Sequence, residues 1–315
     1  MSAEADFLRR LRAMVSDPAA RGLMDDAALL TTSGEQLVLT SDTLVEGVHY
    51  LADDPPETVG WKLAAVNLSD LAAKGATPRA CLLNYALSGG VDWDAAFLDG
   101  FQRALDMFAM PLIGGDTVAL PPGAARVLSL TAIGTVPAGQ RVPDRAGARP
   151  GDILYLGGPV GDAGAGLELL QAGETEPEPL IAAYRAPAPQ LTFGQTLAPM
   201  ASAMMDVSDG LLIDARRMAE ASGCAILIDT IPLSADYAAL HGLTVESRIA
   251  AATAGDDYVL LAALPSDMPP PDGMIAIGHC AKGAGLSVVL EGRAVQLPDR
   301  LGYEHGANRG PGPIS

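Results

Sequence analysis

Apolar positions along this chain come in short bursts separated by polar, glycine-rich turns. Ala27-Ala-Leu-Leu30 and Leu37-Val-Leu39 stand on either side of Thr31-Thr-Ser-Gly-Glu35. Two such runs around such a turn predict a β-hairpin. With the turn centred near Ser33-Gly34, Asp26 falls opposite Ser41 and Asp25 opposite Asp42. Helical periodicity appears at 4–15, again from about 57 to Lys74 with Gly75 closing it, and from Trp93 to Met107. Strands are expected at 79–87, 111–117 and 127–136. An arginine-bearing loop over 141–150 marks a division between an N-terminal domain (1–147) and a C-terminal domain (148–315). The second half opens with strand, glycine-rich turn and helix over 153–170. A Pro- and Glu-rich stretch, 173–189, reads as exposed. A strand ends at Asp206. Ser208 or Asp209 then caps a helix that runs to Ser222 and closes at Gly223. Another strand spans 224–229. Thr253-Ala-Gly-Asp-Asp-Tyr258 places two acids just before a further strand, and the tail beyond Gly302 reads as frayed.

This pattern concentrates acid at strand ends and turns. The hairpin gathers Asp25, Asp26 and Asp42 at one end, where like charges repel unless a cation sits among them. Oxygen ligands without Cys or paired His point to Mg²⁺ rather than zinc. On the helix after the hairpin, Asn67, Asp70 and Lys74 share a face. An Asp near a helix C-terminus is disfavoured by the helix dipole, so Asp70 is either a salt-bridge partner of Lys74 or a metal ligand. Gly114-Gly-Asp116 is a common turn. It also suits close backbone approach to a ligand, with N–H groups facing phosphate. Asp206-Val-Ser-Asp-Gly210 carries more acid than capping needs and leans towards ligation. The glycines after Leu156 do not fit G-x-G-x-x-G, and no G-x-x-x-x-G-K-[ST] occurs.

Composition narrows the function further. The 315 residues are 49% hydrophobic, enough for two cores, and carry a formal net charge of −18. Lysine occurs only at 62, 74 and 282, with no basic run. That argues against nucleic acid and against an anionic membrane surface. An acidic balance serves solubility; it also means that anionic substrates must be met through metal ions. Cys81, Cys224 and Cys280 are far apart, without zinc or disulfide spacing. The N-terminus lacks an apolar signal region, and no stretch approaches about 20 apolar residues. A cytoplasmic protein is expected.

Six motifs in order now carry a resemblance: Asp25-Asp-Ala-Ala28, Thr40-Ser-Asp-Thr-Leu-Val-Glu-Gly-Val-His49, Ala65-Val-Asn-Leu-Ser-Asp-Leu-Ala-Ala73, Leu112-Ile-Gly-Gly-Asp116, Asp206-Val-Ser-Asp-Gly210 and Gly255-Asp-Asp-Tyr258. Over nearly its whole length the chain resembles the thiamine-monophosphate kinase family, of the aminoimidazole ribonucleotide synthetase-like superfamily. The resemblance implies an α/β (α+β) fold of two domains. The N-terminal sheet would form a barrel across a homodimer, and active sites would lie in clefts along that interface. It implies ATP-dependent phosphorylation of thiamine monophosphate to thiamine diphosphate with several Mg²⁺ ions. Asp26, Thr40, Ser41, Asp42, Asp70, Asp116, Asp206 and Asp209 match the family's magnesium set, with Asp42, Asp70, Asp116 and Asp209 also central to catalysis. Gly115, Asp116, Arg145 and Ser208 match nucleotide contacts, and His49, Asp256 and Tyr303 match substrate contacts. The chain departs from the family pattern at Met24 (usually Gly), Asp256 (usually Glu) and Gly306 (often aromatic). The alternatives are a purine-pathway synthetase of the same superfamily and a catalytically silent nucleotide-binding homodimer. The anionic acceptor phosphate needs neutralisation and in-line positioning rather than a base, and His49 is the one candidate base among the motifs.

Overall fold

In the computed structural model, residues 21–22, 24–32, 34–87 and 90–304 are described; the expected helix at 4–15 and the position of Gly306 lie outside them. The first sheet has the order β1-β2-β5-β3-β4. Its strands are Ala28–Thr31 (β1), Glu35–Val45 (β2), Thr77–Leu87 (β3), Leu112–Ala119 (β4) and Val127–Pro137 (β5). Ala28 pairs with Leu39, the register that sets Asp26 opposite Ser41. Because β1 begins only at Ala28, the edge of β2 from Thr40 onwards has no strand neighbour among the described residues. β3 and β4 run parallel, and the other pairings are antiparallel.

Helix α1, Pro56–Ala73, packs on the face of this sheet that carries Val38, Leu44, Leu128 and Leu130. Pro56 sits at its first turn, where a missing N–H costs nothing. α1 is apolar nearly all round and is buried on both sides, as such helices are. Helix α2, Val91–Met107, crosses it at glycines: a Cβ on Gly60 would lie 2.1 Å from the Phe97 carbonyl oxygen, and one on Gly100 1.8 Å from that of Glu57. No other residue permits that approach.

The second sheet has the order β12-β11-β8-β10-β6-β9-β7. Its strands are Ile153–Leu156 (β6), Ala203–Asp206 (β7), Ala225–Ile228 (β8), Leu260–Leu264 (β9), Ile275–Ala281 (β10), Gly285–Leu290 (β11) and Arg293–Ala294 (β12). The helices of this half are Asp162–Gln171 (α3), Glu178–Arg185 (α4), Leu191–Leu197 (α5), Leu211–Ser222 (α6), Ala235–His241 (α7) and Val245–Thr253 (α8). Its main core gathers Leu154, Leu156, Met205, Leu212 and Ile226 among others. A smaller cluster joins Ala72 and Ala73 of α1 to Leu197, Met204 and Leu260. α1 is thus the element shared by both halves.

Two expectations about this half need correcting. The stretch 173–189 is not simply exposed: α4 forms within it and buries Leu180, Ile181 and Tyr184. Its apolar residues recur at helical spacing, a signal that the surrounding Pro and Glu masked. Neither Ser208 nor Asp209 caps α6. Gly210 takes the cap position without a side-chain bond, because Asp209 instead turns its backbone N–H to Asp214 Oδ2 at 3.1 Å. Gly223 closes the helix in the left-handed conformation, as expected.

Candidate active site

The exposed edge of β2 and the loops of the second sheet enclose a cleft of about 960 Å³. One end is acidic: Asp42, Asp70, Asp206 and Asp209 line it, with Ser41 and Ser208 alongside. The other end mixes charge and aromatic surface, with His49, Asp256, Tyr184, Tyr258 and Tyr303.

The acidic end is built where α1 meets both sheets. Asn67 Oδ1 accepts the Asp42 backbone N–H at 3.2 Å, which satisfies the open edge of β2. Thr40 donates its hydroxyl to Asp70. Ser69 donates to Asp206 Oδ2 at 2.6 Å. Asp70 does not pair with Lys74, so the salt-bridge alternative falls. Lys74 reaches Asp25 Oδ1 at 2.7 Å and Asp26 Oδ2 at 2.9 Å instead.

These contacts divide the acids into two groups. Burial alone would raise the Asp26 pKa, but Arg145 and then Lys74 outweigh it and hold that carboxyl at about 2. Asp42 is pushed up to about 6 by burial and by the charges of Asp26 and Asp209. Asp206 is pushed up to about 8, again chiefly by burial and Asp26. Asp70 stands well above the ordinary carboxylate range through burial, Asp42 and Asp206. Two carboxylates about 4 Å apart repel by roughly 4 kcal/mol at an effective dielectric constant near 20. Among the described residues, Asp42, Asp70 and Asp206 therefore have no counter-charge, while Asp26 has two.

The aromatic end is held by backbone bonds between three loops. Asp256 N–H donates to the Ser208 carbonyl (2.8 Å), Tyr258 N–H to Val207 (2.7 Å), and Tyr303 N–H to Asp209 (2.9 Å). Asp256 and Tyr258 both take positive φ, 68° and 52°, conformations that non-glycine residues adopt at a cost and that cluster at functional sites. A residue that sequence reasoning missed anchors this loop from across the cleft. Lys62 Nζ lies 2.8 Å from Asp256 Oδ2 and 3.1 Å from the His49 carbonyl oxygen, and 4.0 Å above the Tyr184 ring. Lys62 is 2% exposed. A lone lysine inside an apolar helix was the available signal. Asp257 is also engaged: its carboxylate accepts the Gly161 N–H at the start of α3 (2.8 and 3.0 Å). His49 has a structural contact as well, its Nδ1 accepting the Val45 N–H at 3.0 Å.

Three expected residues fall elsewhere. Gly115 and Asp116 sit on β4, the far edge of the first sheet. Asp116 shares a lateral row with Asn84, Ser129 and Thr43. Three inter-strand spacings are roughly 14 Å, and side-chain alternation turns Asp116 to the opposite face from Asp42. One ion cannot join them within this chain. Gly115 also has a structural reason to be glycine: with φ 147°, a Cβ there would lie 1.8 Å from the Leu83 carbonyl oxygen. Arg145 is no loose cation, for its guanidinium is paired with Asp26.

The residues fit a hard cation in chemistry, since every donor at the acidic end is oxygen and, among the described residues, Asp42, Asp70 and Asp206 there have no counter-charge. Among the described residues, no three acidic, His or Cys side chains yet converge on one point.

Two mixed sheets sharing a helix, with a carboxylate-lined cleft between them, define a class. The model of the AIR synthase related N-terminal domain matches residues 24–136, and that of the C-terminal domain residues 149–264. Similar proteins narrow the class. The chain is 38% identical to the thiamine-monophosphate kinase of Caulobacter vibrioides, over 96% of this chain and 91% of that protein. It is 36% identical to that of Salmonella typhimurium, over 96% of each. A solved structure described as AaThiL complexed with AMPPCP and TMP superposes with a TM-score of 0.84 at 30% identity, covering 95% of this chain and 96% of the other. The chain belongs to the thiamine-monophosphate kinase family.

Proposed function

We propose that this chain transfers the γ-phosphoryl group of ATP to thiamine monophosphate, giving ADP and thiamine diphosphate. The observation that carries the reading is one cleft with two chemistries. Its acidic end suits metal-neutralised phosphates, and its other end offers Tyr303 and carboxylate to a cationic heterocycle. The likeness to a relative whose structure is described with AMPPCP and TMP supports the same reading.

The acceptor oxygen is an anionic phosphate oxygen, so the site need not remove a proton. What the residues must do is hold two anions in line. Asp42, Asp70, Asp206 and Asp209, with the hydroxyls of Thr40 and Ser41, are the groups that would hold Mg²⁺. Bound there, Mg²⁺ supplies charge neutralisation of carboxylates and phosphate oxygens. Ser208 lines the same end and Arg145 is paired with Asp26; both are assigned to the nucleotide. Gly115 and Asp116 are kept as nucleotide contacts only, given their distance from Asp42. His49 and Asp256 are assigned to the substrate, with Lys62 holding the Asp256 carboxylate in place.

A homodimer through the first sheet completes the reading. β4 is exposed along its whole length, with Leu112, Ile113 and Val118 outward. Such an edge invites pairing with another chain, and a barrel across two copies would cover it. The division is assigned to 147/148, in the connection between β5 and β6. A cytoplasmic location is part of the proposal; among the described residues, no helix is long and apolar enough to cross a membrane.

The test is Asp42→Asn. Activity should fall at least about 100-fold and recover in part at raised Mg²⁺. Wild-type turnover at ordinary Mg²⁺ would overturn the assignment.

A further inference from the structure

Lys74 is the C-cap residue just after α1, 1% exposed, and its ammonium is surrounded by oxygen. Its Nζ lies 2.7 Å from Asp25 Oδ1, 2.9 Å from Asp26 Oδ2 and 3.2 Å from the Met204 carbonyl oxygen. The ammonium donates to Asp25 Oδ1 and to the Met204 carbonyl and forms an ion pair with Asp26 Oδ2, which has no hydrogen-bond partner. The two carboxylates are as buried as the lysine, at 1% and 5% side-chain exposure. Asp25 is also paired with Arg21 and takes the Arg145 backbone N–H at 3.1 Å, and Asp26 is paired with the Arg145 side chain. The hairpin's paired acids thus already have their cations, and those cations belong to the protein.

We propose that the Lys74 ammonium is a built-in counter-ion standing where a metal ion would otherwise bridge Asp25 and Asp26, so that Asp26 is not a metal ligand in this chain. The inference rests on the Mg²⁺ reading above and refines it by leaving metal to the cleft acids Asp42, Asp70, Asp206 and Asp209 and excluding Asp26. The physical argument is one of exclusion. A divalent ion binding oxygen directly would sit about 2 Å from each ligand, in the space the ammonium fills. At 1% exposure, the displaced lysine would give up both carboxylates inside the protein. A buried charge stripped of its partner is strongly unfavourable. Among the described residues, no comparable cation touches Asp70, whose contacts there are the Thr40 hydroxyl and its acidic neighbours.

The experiment is Mn²⁺ titration of the full chain without nucleotide, counting free ion by its paramagnetic resonance signal. Wild type and Asp26→Asn should bind the same number of ions with dissociation constants within about twofold. Asp42→Asn should lose a site or weaken it at least about tenfold. Lys74→Met should gain an ion, or tighten one at least about tenfold, and that gain should vanish in Lys74→Met/Asp26→Asn. Loss of a site in Asp26→Asn alone would overturn the proposal while leaving the metal reading intact. No Mn²⁺ effect from Asp42→Asn would instead overturn the metal reading and the proposal with it. If Lys74→Met does not fold, the Asp26→Asn comparison still decides.

Discussion

Ser69 donates its hydroxyl to Asp206 Oδ2 across 2.6 Å, and the bond joins the shared helix α1 to the end of β7. Both side chains are buried. Like the Lys62–Asp256 contact, it ties the first half of the chain to an acid of the second, side chain to side chain. Ser69→Ala should leave a buried carboxylate short of a donor, at a cost of about 1–3 kcal/mol. Thermal melting should show this, and half-saturating Mg²⁺ should shift upward. An unchanged melting point would mean that the tie is not a structural one.

Acidity gives a second prediction. Asp42 and Asp206 hold protons to about pH 6 and 8, and Asp70 is raised as well, each mainly by burial. Acids whose folded pKa is raised bind more protons folded than unfolded, so stability falls as pH rises from the unfolded value through the folded one. Asp26, held at about 2, works the other way, but its contribution changes only below about pH 4. Metal-free protein should therefore melt higher at pH 5.5 than at pH 8, and Mg²⁺ should narrow the gap. A higher melting point at pH 8 without metal would contradict the electrostatic account.

Packing at the α1–α2 crossing gives a third. A Cβ on Gly100 would meet the Glu57 carbonyl oxygen at 1.8 Å, backbone that cannot swing aside. Gly100→Ala should cost about 1–3 kcal/mol or more and loosen α1, which carries Asp70. Denaturant unfolding should reveal the loss. A substitution without effect would show that the helices can part at no cost.

Lys62 gives a fourth, because it holds Asp256 and the His49 carbonyl at once. Lys62→Met should raise KM for thiamine monophosphate about tenfold or more, with KM for ATP changed less than about threefold. Equal changes in both would assign Lys62 to the scaffold as a whole.

What could be read from the sequence was mostly local. The hairpin register followed from two apolar runs and one turn, and pairing of Ala28 with Leu39 agrees with it. Gly223 closes α6 because a left-handed residue was needed there. Long-range pairings were harder to see. Lys74 shares a helix face with Asp70, yet its partners lie 48 and 49 residues away, brought up by the hairpin folding over α1. Asp116 looked like one more acid of the cleft. Strand order put it on the far edge of the sheet, and nothing in Leu112–Asp116 encodes that order. Lys62 and Asp256 are 194 residues apart, and only the assembled cleft pairs them.

Product formation tests the central claim most directly. The purified chain would be given ATP and Mg²⁺ with and without thiamine monophosphate, and both ADP and thiamine diphosphate followed by chromatography. The account predicts ADP only when the acceptor is present, matched mole for mole by thiamine diphosphate. ADP release indifferent to the acceptor, or no thiamine diphosphate from protein that binds ATP, would contradict it.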